Sequence, residues 1–421
     1  MKLLLVIVSA CLACSSAAAA QDLMIRNARI FTGEDRAVIE NGAVLVRDGI
    51  IKQVGAEVIP PEGVTSLDAG GALLTYGFMN GATQLGLVEM GSSGAATDTG
   101  MDKGHLGAAF DISYAINPNS TLIPLARADG LTMAAIVPGQ SDQPPFTGMP
   151  ALLQLDGSGD STARRKVAVS VTIGGASAEE SGGSRAAQWM QLRRALNEAA
   201  EEKEERPGRE AQESCAAYGH QALRQVLARE IPLVIATRRE SDIRNAVRLA
   251  GDYELRLILV GADEAWRAAT EIAGRDVGVV LNPLINLPES FDSIGARNQA
   301  VHLLAKAGVS VAFMRSGIHA SYNAGLGIRE AAGTAVAYGM PWDEALRALT
   351  VYPARMWGVG DTHGLIAPGY SADLVLWEGD PLEPSSRAKH VWIAGDEMEL
   401  TTRQDLLTER YAEQNGLQSN Q

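Results

Sequence analysis

The chain has 421 residues, of which 46% are hydrophobic, and its formal charge is −14 at pH 7. Proteins bind phosphate backbones through clustered Lys and Arg, so this acidic balance argues against nucleic acid as a partner. No apolar run long enough for a spanning helix follows the first residues, so we expect no membrane span.

The chain begins MKLLLVIVSACLACSSAAAAQD, an order of one Lys, a short apolar run and a stretch of small residues. This order predicts a signal peptide over residues 1–20, cleaved after about Ala20, and a periplasmic or secreted protein. The alternatives are a short membrane anchor and a lipoprotein cleavage box that ends at Cys11. Cleavage after Ala20 leaves Cys215 as the only cysteine. We therefore expect no disulfide, and a small buried hydrophobe rather than a nucleophile at Cys215.

Short strands separated by turns are predicted at both ends of the mature chain. Residues 21–75 and 360–400 alternate apolar and polar positions between Gly, Asn and Asp, which is typical of antiparallel strands. We predict that the two blocks form one composite β-sandwich domain, followed by a C-terminal tail over residues 401–421.

The middle of the chain, residues 76–359, alternates β-rich apolar runs with helical patterns, several of which end at Gly. Eight strands alternating with helices predict an α/β fold of the (β/α)8 TIM-barrel type. The predicted strands are 76–81, 131–138, 151–155, 166–173, 231–237, 255–261, 277–281 and 309–314.

Two segments depart from this alternation. A charged insertion at about residues 185–230 contains the run EEKEERPGRE, which favours a solvated helical hairpin; a docking surface for a partner is the alternative. The Gly-rich segment 91–107, after the first barrel strand, is either a flexible surface loop or a lid over the barrel mouth.

The C-terminal block carries a family resemblance. The stretch GLIAPGYSADLVLWEGDP, Gly364 to Pro381, resembles the C-terminal signature of the amidohydrolase superfamily, in its imidazolonepropionase-like branch. The preceding YGMPWDEALRALTVYPARMWGV resembles the last barrel helix of that branch, with Tyr352 in place of an Asn. GLTMAAIVPG and FTGMPALLQLDG are similar to its second strand and the segment that follows.

The resemblance implies a TIM barrel with a metal at the C-terminal ends of its strands and hydrolysis of amide or related carbon–nitrogen bonds. The metal lowers the pKa of bound water from about 15.7 to about 7, which favours hydroxide by on the order of 12 kcal/mol. In this family an Asp on the eighth strand moves the proton.

The ligand positions implied by the resemblance are filled by other residues. They are Ala82 and Gln84 for the His-x-His of the first strand, Ser170 for the bridging Lys, Ala236 and Gly261 for the fifth- and sixth-strand His, and Ser316 for the Asp. Imidazole and carboxylate are the side chains that hold such a metal. We therefore expect no metal and no other cofactor.

Other polar residues at the predicted barrel mouth are candidates for lining a pocket. Three of these candidates, Gln84, Ser170 and Ser316, also stand at implied ligand positions. The other three are Arg238, Arg315 and His319. Arginines here would bind a carboxylate, or else they pair with neighbouring acidic residues and are structural. The six histidines show no local metal-binding spacing, and no catalytic residue can be assigned.

Three functions follow as hypotheses. The first is a catalytically silent superfamily member that acts as a hetero-oligomeric partner of an active paralogue or as a scaffold. The second is a hydrolase of carbon–nitrogen bonds that uses a non-standard site. The third is a periplasmic protein that binds a small anionic molecule. Fold alone cannot choose among them, because function depends on the site.

Overall fold

The computed structural model describes residues 22–34, 38–201, 215–315 and 320–414. The predicted signal peptide, most of the charge run, Ser316, His319 and the end of the tail lie outside these residues. The N-terminal block forms five strands, in chain order β1 (Leu23–Phe31), β2 (Val38–Arg47), β3 (Ile50–Gly55), β4 (Thr65–Asp68) and β5 (Leu73–Tyr76).

Each of the eight predicted barrel strands lies within three residues of an observed strand. The strands of this region are β6 (Phe78–Thr83), β7 (Leu131–Ile136), β8 (Phe146–Gly148), β9 (Ala151–Gln154), β10 (Thr162–Arg164), β11 (Val169–Thr172), β12 (Leu233–Thr237), β13 (Leu257–Gly261), β14 (Val277–Leu281) and β15 (Val311–Phe313). Most of these strands are largely apolar and are buried at all but one residue or at every residue, as expected of strands covered on both faces.

Helices lie between the barrel strands and after the last of them. They are α1 (Leu122–Ala128), α2 (Gly175–Ala178), α3 (Arg185–Glu201), α4 (Cys215–Leu227), α5 (Glu240–Asp252), α6 (Ala269–Ala273), α7 (Ala300–Lys306), α8 (Leu326–Ala337), α9 (Trp342–Leu349), α10 (Val351–Met356) and α11 (Arg403–Gln414). Short 3₁₀ turns span Gly94–Ala96, Gly107–Ala109, Ile112–Ala115, Glu179–Ser181 and Ala265–Ala268. None of the helices in the described ranges has the length and apolarity to cross a bilayer.

Both ends of the chain contribute to one sheet. The last strands, β16 (Leu374–Trp377), β17 (Ala388–Ile393) and β18 (Asp396–Glu397), continue it in the order β18-β17-β16-β5-β1-β2-β3, with β4 beside β1. Among the described residues the ladders here define one sheet, and the second sheet of the predicted sandwich is not confirmed.

The barrel strands do not form one closed hydrogen-bonded cylinder. Strands β11 to β15 are parallel neighbours, and β6 is parallel to β7. The segment 146–154 joins these two groups but runs antiparallel to both, because β8 pairs with β11 and β9 pairs with β7. No ladder joins β15 to β6 in the part of the chain described.

The antiparallel third strand corrects the predicted all-parallel barrel. Only residues 137–145 separate β7 from β8, and they include no helix. A parallel crossover needs about a dozen residues, usually a helix, so this short connection turns the chain back instead.

Apolar side chains fill the space that the barrel strands surround. They come from β6, β7, β9 and β12 to β15 and include Met79, Ala82, Met133, Leu152, Val234, Ile258, Val260, Val280 and Ala312. Met356 and Trp357, at the end of α10, join the same cluster, and the Trp357 indole donates to Gly81 O at 3.0 Å. Trp357 is 1% exposed, so it belongs to a packed core.

A buried arginine fixes the barrel to the composite sheet. Arg329 on α8 is 2% exposed, and its guanidinium donates to the carbonyls of Pro381, Glu383 and Ser386 at 2.6, 2.9 and 2.6 Å. The same group lies over the Trp377 ring at 4.9 Å. Burial of this charge is tolerated because these carbonyl acceptors satisfy its donors.

Candidate functional site

The C-terminal ends of β11 to β14 open into a cavity. By the general rule for parallel α/β strands this edge is where sites are built. The cavity has a volume of about 590 Å³, and its lining residues come from the loops after four consecutive strands: Gly175, Arg185, Arg239, Glu264, Ser290, Phe291, Asp292 and Ile294. Phe291 and Ile294 are exposed, 89% and 59%, which gives the cavity an apolar rim.

One wall of this cavity is a fixed ion-pair network. The Arg185 guanidinium donates to Asp242 Oδ2 at 3.1 Å and also pairs with Asp292. The Trp189 indole donates to the other oxygen of Asp242 at 3.2 Å. Asp242 is 3% exposed, so its charge is held in place by these two donors.

Arg239 also lines this cavity but, unlike Arg185, it has no carboxylate partner among the described residues. Its side chain makes no ion pair or hydrogen bond with any residue in the described ranges. The nearby Glu264 carboxylate is occupied, because it accepts the backbone N–H groups of Glu240 at 2.8 Å and Gly295 at 2.5 Å. Arg239 is therefore available to an anionic ligand.

Arg238, one of the predicted pocket residues, lies between two carboxylates. Its guanidinium contacts Asp263 at 3.5 Å and Glu289 at 2.8 Å. Burial raises the pKa of Asp263 to about 6, although Arg238 opposes the shift. These contacts give Arg238 a structural role, which is the alternative to binding a carboxylate ligand.

Arg315 and Ser170 are also occupied by neighbours. The Arg315 guanidinium donates to Glu330 at 3.2 Å. Ser170 is buried; its hydroxyl donates to Gly148 O at 2.9 Å and so accepts from Thr147 Oγ1 at 2.6 Å. Arg238, Arg315 and Ser170 are thus each engaged by neighbouring protein groups, whereas Ser316 and His319 lie outside the described residues.

The described residues at the implied ligand positions do not fit a metal. Ala82 and Ala236 carry no donor atom, and they pack in or against the apolar cluster between the strands. Gly261 has no side chain, and the lone pairs and proton of Ser170 are engaged as above. Over the described ranges, no three His, Cys, Asp or Glu side chains come together to hold a metal ion.

The histidines among the described residues form no metal-binding cluster. His105 is largely exposed beside Asp142 at 3.5 Å, and His390 pairs with Glu397 at 2.6 Å. The loop that contains His105 is tied down elsewhere, since Gly91 N–H donates to Tyr322 Oη at 2.6 Å. Its function as a lid stays a prediction.

Comparison with known proteins identifies the kind of fold. Residues 258–400 match the sequence profile of the Amidohydrolase family. A stretch of 58 residues, 14% of the chain, is 41% identical to amidohydrolase tasK of Hapsidospora irregularis, and it spans 6% of that protein.

Solved structures resemble the chain over most of its length. An amidohydrolase from Thermotoga maritima is 23% identical with a TM-score of 0.78, covering 90% of this chain and 99% of its own. A putative prolidase from Bifidobacterium longum is 15% identical with a TM-score of 0.56, covering 93% and 100%. An adenosine deaminase from Xanthomonas campestris, with bound zinc, is 18% identical with a TM-score of 0.52, covering 94% and 98%. Residues 258–400 thus match the Amidohydrolase family model, and the chain shares its fold with these solved structures.

Proposed function

We propose that this chain is a catalytically silent amidohydrolase-fold protein of the imidazolonepropionase-like branch, which holds no catalytic metal and acts as a partner subunit of an active paralogue. The observation that carries the proposal is the replacement of donors by packing: Ala82 and Ala236 contribute methyl groups to an apolar cluster between the strands. Metal-assisted hydrolysis requires imidazole or carboxylate donors aimed at one point, and the described side chains supply none there.

The cavity at the same edge supports binding rather than chemistry. It combines the unneutralised Arg239 with the exposed Phe291 and Ile294. A guanidinium beside an apolar rim suits a small carboxylate or the carboxyl end of a peptide segment. The support for an anion-binding role therefore comes from this cavity and not from Arg238 and Arg315, which are paired with carboxylates.

A second candidate function is hydrolysis of carbon–nitrogen bonds through a non-standard site. One observation favours it: the pKa of Asp263 is raised to about 6 by burial, and perturbed carboxyl groups are enriched at catalytic sites. The Arg238 contact gives the same residue a structural explanation, so the silent function is preferred.

Activity measurements separate these two functions. The mature protein, assayed with and without added Zn²⁺ against N-acyl amino acids, dipeptides and cyclic amides, is expected to show no turnover. Turnover that is abolished by Asp263→Asn would establish the second function and refute the first. Co-purification with an amidohydrolase that has a complete His set, from the same cell, is the expected result for a partner subunit.

We also propose export, on the strength of the leader-like N-terminal sequence. Expression of the full chain in its own cell, followed by mass measurement of the purified protein, is expected to give a mature N-terminus at about Gln21. Recovery of the intact N-terminus from the cytoplasm would contradict this.

A further inference from the structure

A second cavity lies at the opposite end of the barrel strands. It has a volume of about 240 Å³ and is lined by residues at the N-terminal ends of β12 to β15, together with the end of α10. Its polar lining consists mainly of Arg256, Arg275, Arg355 and Asp276. Met356 separates this cavity from the apolar cluster between the strands, so it does not connect with the mouth.

The charges at this cavity are unbalanced. Asp276 is shared by two cations: it accepts from Arg229 at 2.9 Å and lies 4.0 Å from Arg256. The side chains of Arg275 and Arg355 make no ion pair or hydrogen bond with any residue that the structure describes. Three guanidinium groups therefore line a cavity whose one carboxylate, Asp276, is already paired with Arg229, in a chain whose formal charge is −14.

A glycine permits the observed position of Arg275. A Cβ at Gly251, near the end of α5, would meet the Arg275 guanidinium, so this guanidinium can lie against the end of α5 only because residue 251 has no side chain.

Among the described residues, the other polar groups that line this cavity do not pair with Arg275 or Arg355. The Tyr352 hydroxyl is already engaged, donating to Glu344 at 2.7 Å and accepting from Arg347 at 3.2 Å. Arg256 donates weakly to the Met356 carbonyl at 3.5 Å, which leaves most of its donors unused. A cavity of this size with several free guanidinium donors is suited to oxyanions, which guanidinium binds in bidentate fashion.

We infer that this basal cavity binds a compact oxyanion with at least two negative charges, of the phosphate-bearing or polycarboxylate class. The site is independent of the mouth, because no lining residue is shared between the two cavities. Its ligand would regulate or stabilise the protein without entering the site of the proposed function.

Calorimetric titration of the full mature protein with pyrophosphate and, separately, with citrate tests this inference. Saturable one-to-one binding that weakens with added salt is expected for at least one of them. Preference for one probe identifies whether the source is a phosphate or a carboxylate compound. Absence of saturable binding by either probe at low salt would overturn the inference.

Variants locate the binding. Arg275→Ala and Arg355→Ala are each expected to weaken binding about tenfold or more, since charge-assisted hydrogen bonds are lost. Gly251→Ala keeps every arginine but displaces the Arg275 guanidinium, so it should also weaken binding while leaving the helix intact. Arg248→Ala, on the same helix, is the matched control, because Arg248 is exposed and bonds Asn245 instead. Equal losses in the Arg248 and Arg275 variants would show non-specific attraction and overturn the site.

Discussion

The two ends of the barrel strands treat positive charge differently. At the mouth, Arg185, Arg238 and Arg315 each contact a carboxylate, and Arg239 alone is left without one among the described residues. At the base, Arg275 and Arg355 lack any such contact and share a cavity with Arg256. The mouth, where the sequence resemblance implies a metal, therefore has most of its cations paired, whereas the base retains concentrated positive charge.

The proposed absence of a metal site is matched by packing rather than by an empty hole. At positions that the resemblance assigns to ligands, the strands contribute Ala82 and Ala236, which lie in or against a cluster of Met, Val and Ile side chains. The space between the strands is then an ordinary hydrophobic core, so substitutions of its residues should change the free energy of unfolding. The predictions below test that view, beginning with the largest expected effect.

Removing the Trp357 indole from the apolar cluster between the strands should lower the free energy of unfolding. Trp357→Ala deletes a side chain that is 1% exposed and leaves Gly81 O without its donor, so we expect a loss of about 3–5 kcal/mol in the free energy of unfolding. Urea unfolding measures it. Trp357→Phe, which keeps most of the volume, is the control and should lose less; a near-zero effect of the Ala variant would mean that the interior is not a packed core.

The buried Asp263 should make stability depend on pH. Its folded pKa of about 6 lies above the ordinary 3.8, so stability falls as pH rises between those values, by on the order of 3 kcal/mol. Asp263→Asn removes this loss: the variant should be more stable than the parent at pH 8, and the gap should close towards pH 4. Arg238 keeps Glu289 as a partner in the variant. Parallel pH profiles of the two proteins would contradict a raised pKa.

Restoring the first pair of ligands should not restore a metal site. Ala82→His places an imidazole where a methyl group is 4% exposed, so overpacking should cost about 1–3 kcal/mol, and no partner ligand from β12 or β13 is present. Thermal unfolding of the double variant with Gln84→His, with and without Zn²⁺, measures both effects. Stabilisation of the double variant by equimolar Zn²⁺ would show that the mouth is still built for a metal.

The smallest effect is expected at the surface pair of the mouth. Glu289→Gln removes an exposed partner of Arg238, and pairs of this kind contribute about 0.2–1 kcal/mol. Chemical unfolding at low and high salt measures it, and the difference from the parent should shrink as salt screens the pair. A loss above this range would mean that Arg238 and its acids form a cooperative unit.

The sequence predicted strand positions better than strand direction. Apolar periodicity located all eight barrel segments, because buried strands leave a local pattern. The reversal at Phe146 has no periodicity signal; only the short connection after Ile136 hints at it. Closure of the barrel and a second sheet beside β1 depend on pairing between distant segments, which local patterns do not specify.

Site residues were harder to predict, for a related reason. The neutralisation of Arg238 by Glu289 joins residues 51 positions apart, and no sequence spacing indicates it. The basal arginines come from four separate segments of the chain, and each alone resembles a solvated surface charge. Phe291 could have been noticed as an aromatic residue in the long Pro- and Asn-containing loop after β14.

The metal content of the mature protein tests the central claim most directly. Elemental analysis after purification without chelator, and again after dialysis against excess Zn²⁺ followed by gel filtration, measures the bound metal per chain. The account predicts substoichiometric metal in both samples, because the described side chains at the mouth supply no converging donors. Retention of a full equivalent of zinc or of another transition metal would contradict it.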